Sequence, residues 1–276
     1  MDNLNFLTAG MPLRTDKKKG YEDAFNVLDE MNLDGIEVEF VQGVRISDKS
    51  KQLIKDASSE RIFTAHGPFF INLNAREQEK IDASIQRIID TATVANDFGG
   101  YSITYHAAFY LGNEKEIVFN RVVEKTAQII EILEKSNNKI WIRPETTGKG
   151  TQWGDVDEIV RLSKEFDQVL PCIDFSHVHA RSGGGHNTYD EFCKILEQIG
   201  TELGEKALNN FHGHLAGIAY TAKGERNHLP LKESDMNYKD LLKALKHFNV
   251  KGALVCESPN IEDDCKLIKE YYNTLW

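Results

Sequence analysis

Nine histidines occur in this chain of 276 residues, and most of them fall where short apolar runs end. His66 closes the run 62–66, His106 closes 101–106, Glu145 closes 139–145 and Asp174 closes 169–174 with His177 three residues on. His212 and His214 lie in 209–215, Glu257 closes 252–257, and Glu225 and His228 follow the seventh run; Glu37 and Glu39 lie in 35–41. A single histidine in such a place is more often a hydrogen-bonded structural residue. So many imidazoles and carboxylates at equivalent places would each cost several kcal/mol if buried unpaired, and a cation offsets that cost. The mixture suits zinc, manganese or iron. Such ions polarise a phosphoryl or carbonyl oxygen and lower the pKa of bound water to about 7, and a pair clamps the attacking and leaving oxygens of an in-line displacement. Glu145 is the natural bridge: His66 and His106 complete one set around it, and Asp174, His214 and Glu257 another. His177, His228 and Glu225 suffice for a further ion.

Those residues need a frame that brings eight run ends to one place. The apolar runs at 3–9, 35–41, 62–66, 101–106, 139–145, 169–174, 209–215 and 252–257 read as strands. Between them, stretches such as 77–98 repeat Ile81, Ile85, Ile88 and Ile89 at helical spacing, and 114–136, 155–166, 188–208, 238–248 and 261–275 behave alike. This alternation predicts a single-domain (β/α)8 TIM barrel over residues 1–276, with its site at the C-terminal ends of the strands. No GxGxxG follows the first strand, which argues against a dinucleotide-binding sheet. The composition, 41% hydrophobic and 28% charged, supports a large core. A net charge of −10 argues against non-specific coating of nucleic acid, though not against a local basic rim. Four cysteines without CxxC spacing, and no leader or membrane-spanning run, predict a cytoplasmic protein with reduced thiols. A monomer is expected.

The local sequences around these residues resemble the endonuclease IV family of apurinic/apyrimidinic endonucleases. His66-Gly-Pro-Phe-Phe-Ile-Asn-Leu73 is similar to that family's His-x-x-Tyr-x-Ile-Asn-Leu, and Glu145-Thr-Thr-Gly-Lys-Gly-Thr-Gln-Trp-Gly154 to its glycine-rich glutamate segment. Cys172-Ile-Asp-Phe-Ser-His177 resembles Cys-Ile-Asp-Thr-Cys-His, and Val255-Cys-Glu-Ser-Pro-Asn260 resembles Ile-Leu-Glu-Thr-x-Asn. The resemblance implies a barrel with a Zn2+ cluster of two to three ions, Mn2+ being an alternative, that cuts double-stranded DNA 5′ to abasic sites. It implies that His66, His106 and Glu145 hold one ion, that Glu145, Asp174, His214 and Glu257 hold a second, and that His177 and His228 hold a third. Glu145 then bridges and Glu257 helps orient the attacking hydroxide. His214 is preferred to His212 because it precedes Leu215, as the family's ligand does. Three departures mark a divergent member: Glu225-Arg-Asn-His228 replaces Asp-x-His, His214-Leu-Ala-Gly replaces His-Leu-Asn-Asp, and Ala-Ala-Phe follows His106.

Arg45, Arg76, Lys149, Arg181, Lys223 and Arg226 fall in predicted loops on the metal face, where they form a phosphate-binding rim. By the same resemblance Arg45 sits where the family inserts an arginine into DNA, and Phe69 replaces a wedge-like tyrosine. Ser182 and Gly183–Gly185 read as a flexible lid, and His179 and His186 as non-ligands. One rival shares the fold: a single-metal sugar isomerase or epimerase would use only Glu145, Asp174, His214 and Glu257, with the glutamates moving protons. Another is a catalytically silent barrel that binds damaged DNA around one structural metal.

Overall fold

Alternation along each strand decides which side chains face the helices and which face the barrel interior. The computed structural model describes residues 1–276. Eight parallel strands ring the molecule: β1 (Leu4–Ala9), β2 (Gly35–Glu39), β3 (Ile62–His66), β4 (Ser102–Tyr105), β5 (Trp141–Pro144), β6 (Ile173–Asp174), β7 (Phe211–Leu215) and β8 (Gly252–Cys256). Their order is β5-β4-β3-β2-β1-β8-β7-β6. Parallel bridges Ile142–Val169 and Glu145–Cys172 close the seam between β5 and β6. The fold is a TIM barrel.

Ile36, Val38, Phe63, Ala65, Ile103, Ile142 and Leu254 point outward into the main apolar core beneath the surrounding helices. Inside, only Leu7, Ala253 and Val255 form a separate small apolar cluster. The rest of the interior is polar, whereas branched apolar residues usually fill a TIM barrel. Buried Glu37, Thr64, Ser102, Arg143 and His212 make a lower layer, and the ligand candidates His66, Glu145 and His214 stand one residue pair above Thr64, Arg143 and His212. That lower layer holds because its groups have partners. Thr64 Oγ1 donates to Glu37 Oε2 at 2.7 Å, Ser102 Oγ lies 2.9 Å from His212 Nδ1, and Arg143 donates to the Pro171 and Asn210 carbonyls.

Several boundaries differ from the sequence expectation. The strand expected over 169–174 is regular only at Ile173–Asp174, because Pro171 has no N–H for the ladder. The helix expected over 188–208 breaks at Gly204 (φ 77°) into α7 (Tyr189–Leu203) and α8 (Glu205–Asn209), the sixth helix being α6 (Phe175–Arg181). Helices Tyr21–Met31 and Asp48–Ala57 fill connections for which no periodic pattern is singled out above. The segment after β7, read as a loop, is a hairpin of Gly217–Thr221 with Gly224–Leu229. No helix is long and apolar enough to cross a membrane.

Candidate metal centre

The spacing Asp174-x-x-His177 follows from helix capping. Asp174 ends β6 and is the N-cap of α6; its Oδ1 accepts the His177 N–H at 2.8 Å. Capping consumes one carboxylate oxygen and sets His177 in the first turn. Asp174 Oδ2 is left buried without a hydrogen bond, 3.1 Å from His177 Nδ1. Glu145, 1% exposed, is the hub. Its Oε2 lies 3.0 Å from His66 Nε2, and its Oε1 lies 3.2 Å from His106 Nε2, 3.1 Å from His177 Nδ1 and 3.5 Å from His214 Nδ1. Glu257 Oε1 lies 3.3 Å from His214 Nδ1.

Two groups of candidate ligand atoms, Cys172 with His212 and His214 and Glu37 with Glu39 and Glu257, border the centre, and three overlapping groups that share Glu145 and Asp174 form it, each spanning no more than 4.8 Å: His66, His106 and Glu145; Glu145, Asp174, His214 and Glu257; Asp174, His177 and His228. Within these three His106 Nε2, Glu145 Oε1, Asp174 Oδ2, His214 Nδ1 and His228 Nε2 are all buried without a hydrogen-bond partner. Unsatisfied buried polar atoms on five neighbouring side chains call for a shared partner, and imidazole nitrogens beside carboxylate oxygens fit a metal cluster. The other ring nitrogens are occupied: His66 Nδ1 faces the Gly67 carbonyl at 2.8 Å, His177 Nδ1 the Thr146 carbonyl at 3.0 Å and His228 Nδ1 the Glu257 carbonyl at 3.2 Å. Each carbonyl can hold a proton on Nδ1 and leave Nε2 free to ligate.

Glu225 and His228 reach the site on the hairpin after β7. Residues three apart on a strand face opposite sides, but the pairing skips Arg226: Ala219 opposes Asn227 and Tyr220 opposes Glu225. This bulge absorbs one residue and returns Glu225 and His228 to one face, so Glu-x-x-His presents its side chains as Asp-x-His would. Glu225 Oε2 lies 3.6 Å from His177 Nε2. Close docking of the hairpin needs glycine: a Cβ on Gly148 would meet Glu225 Cβ at 2.6 Å, and one on Gly224 (φ +93°) would meet the Gly148 carbonyl at 2.2 Å.

One rim residue has another task. Arg181 Nη1 donates to the Thr147 carbonyl and hydroxyl and to the Lys149 and Gln152 carbonyls, at 2.7 to 3.3 Å. It is the internal clamp of the glycine-rich loop rather than a free cation for DNA, which corrects the sequence expectation. Arg181→Ala should loosen the loop by about 2 kcal/mol, the scale of hydrogen bonds to a charged group. Limited trypsinolysis should then cut after Lys149 faster than in the parent chain, and equal cutting would contradict the clamp.

Without ions, protons balance the carboxylates. Burial pulls the His66 imidazole down, but the Glu145 bond and the charge of Glu39 outweigh it and raise it to about 10. His177 and His214 rise well above the ordinary range against the same burial, chiefly through Asp174 for the first, and through Cys172 and Glu257 for the second. Burial lifts Glu39 to about 8. Burial also opposes ionisation of Glu257, but His214 holds its carboxyl down to about 2. His212 stands in the lower layer, its Nε2 3.0 Å from Glu37 Oε2, and burial lowers its pKa to about 4. Of the two histidines on β7, His214 therefore faces Glu145, Asp174 and Glu257.

The centre opens into a cavity of about 290 Å3 lined by ligand candidates together with Glu39, Phe69, Phe109, Lys149 and Gln152. Phe69 and Phe70 are 68% and 61% exposed, so neither is a core residue, and Phe69 stands at the cavity wall. Arg45 is exposed in the connection after β2 beside a hollow with Ile46 and Lys51, outside the cavity lining. Arg76 borders another hollow; Lys223 and Arg226 are exposed on the hairpin. His179 pairs with the Gly185 carbonyl and Asp235, and His186 lines an outer cavity of about 420 Å3, so neither joins the cluster.

The family model described as xylose isomerase-like TIM barrel matches residues 25–271. The chain belongs to that family. Its resemblance to endonuclease IV makes it a divergent member of this xylose isomerase-like group. An uncharacterized protein of Methanocaldococcus jannaschii is 46% identical over 272 residues, covering 99% of this chain and 98% of the relative. Among solved structures, a D-tagatose 3-epimerase-like protein (18% identity, TM-score 0.73) covers 97% of both chains. Endonuclease IV from Thermus thermophilus (16% identity, TM-score 0.73) covers 99% of this chain and 100% of its own. At these identities the likeness shows the shared barrel, and the side chains at the strand ends must separate the activities.

Proposed function

We propose that this xylose isomerase-like barrel is a metal-dependent endonuclease that hydrolyses the phosphodiester 5′ to an abasic site in double-stranded DNA, leaving a 3′-hydroxyl. The observation that carries this reading is the number of ligand groups. Sugar epimerisation needs the middle group alone, whereas two further groups built from His66, His106, His177 and His228 share Glu145 and Asp174 with it. Two or three divalent ions, zinc by ligand type, would be held by these residues and by Glu225. When bound they supply an activated water and neutralise charge on a phosphate. The chain's own residues do the rest. Glu257, ionised at the cavity wall, orients the attacking water. Glu145 keeps the imidazoles in register. Phe69, at the mouth, fills the space beside an extruded abasic sugar and keeps water from it. Lys149 offers a cation to the phosphate.

The epimerase reading keeps one argument, because Glu145, Asp174, His214 and Glu257 fit its single ion equally well. One preparation decides between them. Zinc-loaded protein should cut a duplex at a single abasic site on its 5′ side, and a chelator should stop it. Absence of incision alongside epimerisation of a ketose by the same sample would transfer the protein to the sugar enzymes.

A further inference from the structure

His214 is held differently from the other ligand candidates. For His66, His177 and His228 the second ring nitrogen faces a backbone carbonyl, but His214 Nε2 faces a buried carboxylate, Glu37 Oε1, at 3.0 Å. Glu37 is itself enclosed: Thr64 Oγ1 donates to its Oε2 at 2.7 Å, and His212 Nε2 lies 3.0 Å from the same oxygen. Ser102 Oγ, 2.9 Å from His212 Nδ1, anchors that second ring. Glu37, His212 and His214 are all 0% exposed. Glu37 Oε1, His212 Nε2 and His214 Nε2 are buried with no hydrogen-bond partner, their 3.0 Å approaches being close ion-pair contacts.

We propose that Glu37 is a positioning residue for the metal centre. It holds the His214 proton on Nε2, turns Nδ1 toward the ion shared with Glu145, Asp174 and Glu257, and makes that imidazole a stronger donor. This rests on His214 being a metal ligand, as the proposed function has it. A carboxylate behind a ligating histidine fixes its tautomer and orientation, and losing one typically costs 10–100-fold in metal affinity. Thr64, His212 and Ser102 keep the Glu37 carboxylate at the right height. They cannot replace it, because none offers a fixed anionic acceptor to His214.

The test is zinc titration of the full, chelator-stripped chain against a chromophoric competitor, with wild type, Glu37→Gln, Glu37→Asp and Thr64→Val. Glu37→Gln should weaken one binding step about tenfold or more while the total number of ions stays the same. Glu37→Asp should recover part of the loss. Thr64→Val, which removes only the hydroxyl that steadies Glu37, should weaken the same step by a few fold and gives an answer even if Glu37→Gln folds poorly. In zinc-loaded protein with 15N-labelled histidines, His214 should be metallated at Nδ1 and protonated at Nε2, and Glu37→Gln should erode that preference. Wild-type affinities in both Glu37→Gln and Thr64→Val would overturn the assignment. So would a loss of one whole ion both in Glu37→Gln and in a fifth chain titrated alongside, His212→Gln, which would mean that the lower layer holds an ion of its own. None of these readouts involves DNA, so a failure of the nuclease reading in the incision assay would be seen separately.

Discussion

Glu145→Gln is expected to lower incision of abasic duplex by about a thousandfold, the effect of several kcal/mol of lost transition-state stabilisation. Glutamine keeps the volume of a side chain that is 1% exposed, so the core is not opened. It removes the charge that faces His66, His106, His177 and His214 across 3.0 to 3.5 Å, and it puts an amide nitrogen where one ligating oxygen stood. An amide nitrogen does not ligate, so two of the three groups are damaged by one substitution. Metal content should therefore fall together with turnover. His247→Ala, which removes an imidazole packed against Tyr189 and Phe248 far from this cluster, should change neither quantity. Wild-type ion content and incision in Glu145→Gln would remove Glu145 from the bridging role.

Much of this centre was legible because a TIM barrel brings strand ends together whatever lies between them. His66, His106, Glu145, Asp174 and Glu257 each stand at or one residue beyond a strand end, so locating apolar runs located them. Asp174 and His177 were legible as a pair because capping ties their spacing to a helix start. What escaped lies in features without a local apolar signature. The hairpin strand carrying Glu225 and His228, Gly-Glu-Arg-Asn-His-Leu, has a single apolar residue, and the Arg226 bulge that aligns them is a matter of pairing register. The clamp role of Arg181 depends on carbonyls of a loop about thirty residues earlier in the chain.

The lower polar layer had a signal that periodicity alone makes visible afterwards. Strands buried on both faces usually read as continuous apolar runs. Here Ile36-Glu37-Val38-Glu39 and Phe63-Thr64-Ala65-His66 alternate, as strands with one polar face do. In a closed barrel that polar face can only be the interior. Glu37 and His212 follow from that step, and with them the carboxylate behind His214.

Removing the ions should separate two stability profiles that run in opposite directions with pH. In the metal-free chain His66 rises to about 10 against an ordinary 6.5, so the stability it contributes is complete below 6.5 and is lost as pH climbs through 10. Glu39 rises to about 8 from 4.5, because burial disfavours its charge; the folded chain holds that proton more tightly, and stability falls as pH rises across that interval. Glu257, held down to about 2, contributes fully above 4.5 and does not oppose these trends at neutral pH. The stripped protein should therefore melt at lower temperature at about pH 8.5 than at about pH 5.5. In the loaded protein the same protons compete with the ions, so metal affinity rises with pH. Each ion present at a thousandfold its dissociation constant adds about 4 kcal/mol, or roughly 10 °C in a chain of this size. The gap between loaded and stripped melting temperatures should be tens of degrees at alkaline pH and close markedly toward pH 5.5, as thermal melts at matched ionic strength would register. A gap that stays constant or narrows with rising pH would mean that cations do not displace the protons held at His66 and the neighbouring Glu39, and the cluster would have to be drawn without His66.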